Sequence, residues 1–526
     1  MGTSNSSDIL KQKSQKFYTD LSNLNTVENM NHKNHNQNDL SEKIKLKISI
    51  NKINKDYSYE IHLFNINNNQ KNPLNDFFEC SSSDNNNTVC LDNPLIIRYF
   101  FEKEQPLLIQ ITKKNSEISM NYELKTTLGC IMGSKNATWE SKINDVDNET
   151  LKIQAEKLKL SEDIIIIRFE ITPEKPVSFS KIRCKMYYEI YSDKILYRSE
   201  CINDNGFFMP VKIPLELFQN NKLTLKLYKS NRKTRIDTEV GISEFVNGIS
   251  FKKRINGINY TITSKSKLTK NYTFVDYLKA GMKIGLSIAI DFTASNGDPN
   301  RYDSLHSIKS LEPNQYERAI NACGNILSKY NDSQLFPCFG FGAKYYGKTY
   351  HAFNLNFTDN PNILYIGGII QAYHMALQKT QLYGPTYFGP VINKMKNIIK
   401  RDGDNKNYYI LMILTDGIID DIDDTIEELV EVSTLPLSVI IIGVGKADFS
   451  SMEILDADIN PLVDSKGKRA ARDLVQFVPF LKYESNPEKL ASEVLAEIPS
   501  QIIEYYEEKN IDPTTLSTFK KSDDYY

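Results

Sequence analysis

Two short stretches hold residue types at a spacing that suits a metal ion. Asp291-Phe-Thr293-Ala-Ser295 puts a carboxylate and two hydroxyls on one turn, directly after an apolar run. Leu414-Thr415-Asp416-Gly417 ends a second apolar run on another carboxylate. All these donors are hard oxygens. Mg²⁺ accepts few carboxylates and keeps several waters, which leaves positions for a ligand's own acidic group. The competing account is that Asp291 and Asp416 merely cap the helices that follow, and residue type alone does not separate the two. No nucleophile–base pair stands near either stretch. His306 is the closest histidine in sequence, and a lone loop histidine reads as a surface residue. Binding is favoured over catalysis.

A third stretch fits a phosphate-binding pattern and is rejected. Gly342-Ala-Lys-Tyr-Tyr-Gly347-Lys348-Thr349 matches G-x-x-x-x-G-K-[ST] and follows an apolar run. That chemistry requires a helix whose N-terminus holds the phosphate. Here 349–357 (TYHAFNLNF) alternates in β fashion, and Tyr345 and Tyr346 would crowd a loop that must wrap tightly. A hairpin at a sheet edge is expected instead.

The elements that would position the two carboxylates alternate between strand and helix. The run 283–290 (KIGLSIAI) is apolar on both faces, as a central parallel strand should be. Helical periodicity at 315–330, 363–377, 388–399, 422–432 and 487–506 alternates with strand-like runs at 335–341, 409–414, 438–444 and 475–480. Repeated β-then-α implies a doubly wound parallel sheet, and such sheets bind ligands beyond the carboxyl ends of their strands. Asp291 and Asp416 both fall there. Upstream the texture differs. Short β-type runs at 44–50, 59–64, 95–101 and 107–112, then at 164–171, 186–191, 207–213 and 223–228, suggest two all-β sandwiches with a boundary near 158–163 and no long amphipathic helix. Residues 1–42 are polar and Asn-rich and read as a disordered arm, while 507–526 reads as a flexible tail.

The stretches DFTASNGDP (291–299), LFPCFGFG (335–342), YGPT (383–386), LTDG (414–417), SVIIIGVG (438–445) and DLVQFVP (473–479) closely resemble the copine family. The resemblance is specific over 275–506 and diffuse over 44–265. It implies two C2-type sandwiches, at 43–160 and 161–265, followed by a von Willebrand A-like domain at 275–506. It also implies a metal-ion-dependent adhesion site, carried over onto Asp291, Thr293, Ser295, Thr386 and Asp416, all of which bear metal-competent side chains. Mg²⁺ or Mn²⁺ is the expected ion, and cytosolic proteins with acidic or carboxylate-bearing motifs are the expected partners.

Copines are implied to bind phospholipid in a calcium-dependent way, and here the loops depart from that pattern. Ile182-Arg183-Cys184 stands where the family would carry Ser-Asp-Pro, after Ser178-Phe-Ser-Lys181. Lys229 and Asn231 stand where two aspartates would, leaving Asp237 nearby. In the first sandwich Asn54-Lys55-Asp56-Tyr57 is short, and 108–114 (LIQITKK) has no carboxylate. Calcium coordination is expected to be weakened or lost in both sandwiches, both degenerate by this reading. Lys229, Arg232, Lys233 and Arg235 instead form a basic loop suited to anionic lipid, where each basic residue contributes about 1 kcal/mol. A solvated basic loop is the plainer alternative.

Met1-Gly2-Thr3-Ser4-Asn5-Ser6 satisfies M-G-x-x-x-[ST], which makes Gly2 a myristoylation candidate, with Lys11, Lys13 and Lys16 following. One myristoyl chain anchors only marginally, so a lipid-binding domain would be the second signal.

Composition bounds the rest. At 526 residues the chain has room for three or four domains of roughly 150 residues. Its 64 Lys and Arg against 66 Asp and Glu leave a net charge of −2, which argues against a nucleic-acid binder. Seven scattered cysteines, none in C-x-x-C spacing, read as reduced thiols rather than a disulfide framework or a zinc site. No apolar run reaches the roughly 18 residues of a spanning helix. The expectation is a non-enzymatic, cytoplasmic protein attached peripherally to the cytosolic leaflet. Two alternatives stand beside it. One is a scaffold with an inactive metal site. The other is an enzyme-associated relative, though no cysteine after Cys338 remains to build the zinc-bound RING that some relatives use as ubiquitin ligases.

Overall fold

The structure is a computed structural model. It describes residues 41–518 except 54–56, 68–69, 75–77, 80–87, 91–93, 145–147, 159–162, 175–184, 192–194, 204–205, 216, 218–222, 230–231, 241–247, 249, 256–257, 310–311 and 457–460; in some strands, including 232–240, it describes backbone only. The chain forms two compact units, one built on Ser161–Asn271 and the other on Leu40–Leu160 together with Tyr272–Tyr526.

Among its described residues the first unit is almost wholly β. One five-stranded antiparallel sheet centres on Asp163–Pro173 paired with Ile258–Lys270, and another on Lys185–Tyr191 paired with Leu223–Lys229. Alternating side chains from both sheets, among them Ile165, Ile167 and Phe169 against Tyr188, Ile190 and Leu225, close a single apolar core.

The second unit joins two architectures. Its N-terminal part is again a pair of five-stranded antiparallel sheets, one around Glu42–Asn51 and Thr150–Lys157, the other around Ser58–Asn67 and Pro106–Lys114. Its C-terminal part is a seven-stranded sheet in which Leu335–Phe341, Lys283–Asp291, Asn407–Thr415, Leu437–Gly443 and Val475–Pro479 run parallel in that spatial order. Phe353–Asn354 and Asn362–Leu364 add antiparallel to the edge strand Leu335–Phe341. The central strand Lys283–Asp291 is buried along nearly its whole length, because helices cover both faces.

These two parts share one continuous apolar core. Between them Tyr99 and Tyr330 exchange a hydrogen bond of 2.5 Å, and the Phe101 ring lies 4.8 Å from Phe274 and 5.0 Å from Tyr330. Each such aromatic pair adds about 0.5–1.5 kcal/mol beyond its buried area. The short helix Leu128–Gly133 approaches so closely that a Cβ at Gly133 would stand 2.3 Å from the Lys329 carbonyl oxygen. Glu42 accepts from the Thr273 hydroxyl (2.7 Å) and the Val275 amide (3.3 Å), and Lys157 pairs with Asp276 at 2.9 Å.

Three readings from sequence need correction. The stretch 487–506 is two helices, Pro487–Leu495 and Ile498–Glu508, and Pro499 explains the break because it has no amide to donate to the preceding turn. The tail read as flexible from 507 continues that second helix and then forms Pro513–Thr518, with Leu516 fully buried. Arg232, Lys233 and Arg235 lie not in a loop but in the strand Arg232–Val240, with Lys229 opposite Arg232 and Tyr228 opposite Arg235.

Candidate metal centre

Parallel pairing sets the site. Ile290 lies beside Leu414, so the next residues, Asp291 and Thr415, leave the sheet together at its carboxyl edge. The Thr415 hydroxyl donates to Asp291 Oδ2 at 2.6 Å. Asp291 Oδ1 accepts from both the amide (2.8 Å) and the hydroxyl (2.6 Å) of Thr293. Thr293 Oγ1 lies 2.9 Å from Ser295 Oγ, which donates to Asp416 Oδ1 at 2.9 Å. Four of the five residues proposed from sequence thus lie in one line of close oxygen contacts, Asp291–Thr293–Ser295–Asp416. The fifth, Thr386, is buried and shares a pocket of about 430 Å³ with Thr293, Ser295 and Asp416. It is held there by two bonds to Asp420: its amide donates to Oδ2 (2.8 Å), and its carbonyl accepts from the Asp420 amide (2.9 Å).

Electrostatics shows what the two acids would gain from a cation. Asp291 is fully buried, and burial raises its carboxyl pKa against the pull of its hydroxyl donors. Asp416 is pushed up to about 7, first by burial and then by the Asp291 carboxylate beside it. Two acids desolvated against each other are costly unless a positive charge lies between them. Asp416 faces a pocket that it shares with Thr293, Ser295 and Thr386. The donor set is all oxygen, small and partly open, and it fits Mg²⁺ or Mn²⁺.

The loop that carries the site is braced from beneath. His306 is fully buried, not a surface residue, which corrects the reading from sequence. Its Nε2 lies 2.8 Å from the Asp291 carbonyl oxygen and its Nδ1 lies 2.6 Å from the Tyr373 hydroxyl. These partners assign a neutral ring with the proton on Nε2. Burial pushes its pKa down to about 3, and the ring stacks 4.3 Å from Tyr316. Tyr316 in turn donates to Asn296 at 2.6 Å. Gly342 closes the other side. It holds φ +75°, and a Cβ there would stand 2.4 Å from Thr293 Cγ2.

Sequence reasoning passed over Thr415 and His306. The first was visible as the hydroxyl preceding Asp416. The second had no local signal, because Tyr373 lies 67 residues away. The rejected phosphate-loop stretch is a hairpin, Ala343–Tyr345 against Lys348–Tyr350, with no helix after it. Gly2, 178–184, 54–56 and Asn231 lie outside the described residues, as do the side chains of Lys229, Arg232, Lys233, Arg235 and Asp237. Among the described residues, no group of three or more His, Cys, Asp or Glu side chains is placed to hold a metal ion, the candidate centre itself bringing only two carboxylates, and no helix is long and apolar enough to cross a membrane.

Residues 304–514 match the copine family model, a span that includes Thr386 and Asp416 and begins after Ser295. Among solved structures, the calcium-bound tandem C2 domains of Extended-Synaptotagmin 2 align at 9% identity and a TM-score of 0.17, over 44% of this chain and 98% of that one. Manganese-loaded Plasmodium vivax TRAP protein aligns at 14% identity and a TM-score of 0.26, over 42% of this chain and 74% of that one. Proximal thread matrix protein 1 from the mussel byssus aligns at 15% identity and a TM-score of 0.25, over 40% of this chain and 46% of that one.

Proposed function

We propose that this chain, which carries a copine domain over residues 304–514, is a non-enzymatic adaptor that attaches to anionic phospholipid surfaces and captures partner proteins through a Mg²⁺- or Mn²⁺-dependent adhesion site. By this reading the C-terminal sheet is von Willebrand A-like and the two β units are C2-type. The observation that carries the adhesion half is the pair of buried carboxylates, Asp291 and Asp416, joined through the Thr293 and Ser295 hydroxyls, with Asp416 and both hydroxyl residues lining a pocket of about 430 Å³. When bound, the ion would offer open positions to a partner's carboxylate oxygen. The chain's own residues hold and orient it: Asp291 fixed by Thr293 and Thr415, Asp416 by Ser295, Thr386 by Asp420.

The membrane half is proposed to have shed calcium in the first sandwich. The end of strand Pro106–Lys114, where calcium would need carboxylates, presents a buried ammonium instead. Lys113 Nζ bonds Glu149 at 2.9 Å, the Tyr59 hydroxyl donates to the same oxygen at 2.5 Å, and the ammonium lies 4.5 Å from the centroid of the Tyr57 ring. The buried carboxylate there is already neutralised by the ammonium, which leaves it a poor ligand for calcium. Attachment would then fall to the basic strand end at Lys229, Arg232, Lys233 and Arg235, helped by a myristoyl group on Gly2 and directed to the cytosolic leaflet.

Co-sedimentation of the unmodified protein with phosphatidylserine vesicles, in calcium and in chelator, tests this half. Equal binding in both supports it. Binding that requires calcium contradicts the loss of calcium, and no binding in either condition removes the basic strand end as the contact.

A further inference from the structure

The pocket has a rim that ion binding does not use. On one wall stands Tyr383, 49% exposed, whose amide donates to the Phe292 and Gly342 carbonyls at 3.1 Å each. The lining also holds Ile418, 58% exposed and only two residues beyond Asp416. Both side chains stand in solvent at the mouth of the pocket.

Behind Tyr383 lies a positive charge. Lys344 Nζ sits 5.0 Å from the centroid of the Tyr383 ring, and among the described residues no carboxylate pairs with it. Lys344 belongs to the hairpin Ala343–Tyr345 and Lys348–Tyr350, which pairs through Lys344 and Gln381 with the segment leading into Tyr383. The turn of that hairpin is Tyr346-Gly347. Both residues have positive φ, +46° and +76°, a turn that ordinarily carries Asn-Gly. Tyr346 is instead a large aromatic, 90% exposed and held in a left-handed conformation. Neither folding nor solubility calls for that choice, and strained, exposed side chains gather at binding surfaces.

We infer that this rim reads the residues flanking the partner's metal-directed carboxylate. An apolar or aromatic side chain of the partner lies between Tyr383 and Ile418, and a second acidic side chain reaches Lys344. The recognised element is therefore an acidic–apolar–acidic segment rather than any exposed carboxylate. The inference rests on the metal reading above. Asp420 also lines the pocket, where its Oδ2 accepts from the Thr386 amide.

The test uses full-length protein in saturating Mg²⁺ and fluorescein-labelled peptides carrying Glu-Phe-Glu or Glu-Phe-Gln between glycines, read by anisotropy. In the wild type the second Glu should tighten binding by up to about fivefold, the upper end for one exposed charge pair. Lys344→Met should erase that ratio and Lys344→Glu should invert it, with Mg²⁺ heat in calorimetry unchanged in both variants. Tyr383→Ala should weaken Glu-Phe-Glu relative to Glu-Gly-Glu. An equal Glu-to-Gln ratio in wild type and Lys344→Met overturns the inference. So does the absence of Mg²⁺-dependent binding by either peptide to protein that does bind Mg²⁺. If the protein gives no Mg²⁺ heat at all, the metal reading and the inference fall together.

Discussion

Gly342 and Gly347 sit five residues apart in one hairpin, both at positive φ, and only one should matter to the metal. Replacing either with alanine forces an L side chain into the left-handed region, which costs about 1–2 kcal/mol. At Gly347 (φ +76°) nothing lies within 4 Å of the new Cβ, so strain is the whole effect. At Gly342 (φ +75°) the Cβ would also stand 2.4 Å from Thr293 Cγ2, where ordinary contact begins at 3.4 Å. Thr293 must therefore swing away, and its hydroxyl is the one that donates to Asp291 at 2.6 Å and lies 2.9 Å from Ser295. Overpacking of this kind adds about 1–3 kcal/mol, for a total near 2–5 kcal/mol. Losing the aligned hydroxyl should weaken Mg²⁺ binding about 10-fold or more. Urea denaturation and Mg²⁺ calorimetry on both variants check the pair. Gly347→Ala should lose about 1–2 kcal/mol of stability and keep wild-type affinity. Gly342→Ala retaining wild-type affinity would refute the claim that Thr293 is held in place for the ion.

Two further outcomes follow from buried charges. Lys113→Ala leaves Glu149 buried without its ammonium and should cost about 3–5 kcal/mol in urea denaturation; Lys113→Met combined with Glu149→Leu should recover most of that loss, and a double variant as unstable as the single one would show that the pair does not act as a unit. Burial raises the Glu42 carboxyl above its ordinary 4.5, outweighing its bonds to Thr273 and Val275. The folded chain then holds that proton more tightly than the unfolded one, so Glu42's contribution is full below 4.5 and is lost as pH rises through its folded value. Glu42→Gln should therefore gain stability relative to wild type between pH 4 and pH 7, and a difference that does not change with pH would contradict this.

What was legible in the sequence is what depends on neighbours along the chain. The run 283–290 announced a central strand because both its faces are apolar, and D-x-T-x-S directly after it announced a turn able to hold an ion. Hydroxyl and carboxylate spacing survives translation into geometry when one turn carries it, as with Asp291, Thr293 and Ser295. Contacts made across the fold left no such trace. Tyr99 meets Tyr330 across 231 residues, so nothing local showed that the N-terminal sandwich shares a core with the α/β sheet. His306 looked solvent-facing because the groups that bury it, Phe292, Tyr316 and Tyr373, come from three different elements. The break between Leu495 and Ile498 was readable from Pro499, but the apolar period runs through it and masked the signal.

The most direct test of the metal centre is calorimetric titration of the full-length chain with Mg²⁺ and with Mn²⁺, beside Asp416→Ala. Saturable heat in the wild type that vanishes in Asp416→Ala, with both proteins melting alike in chelator, is the predicted result. Heat of the same size in the variant, or none in the wild type, would contradict an adhesion site built on Asp291 and Asp416.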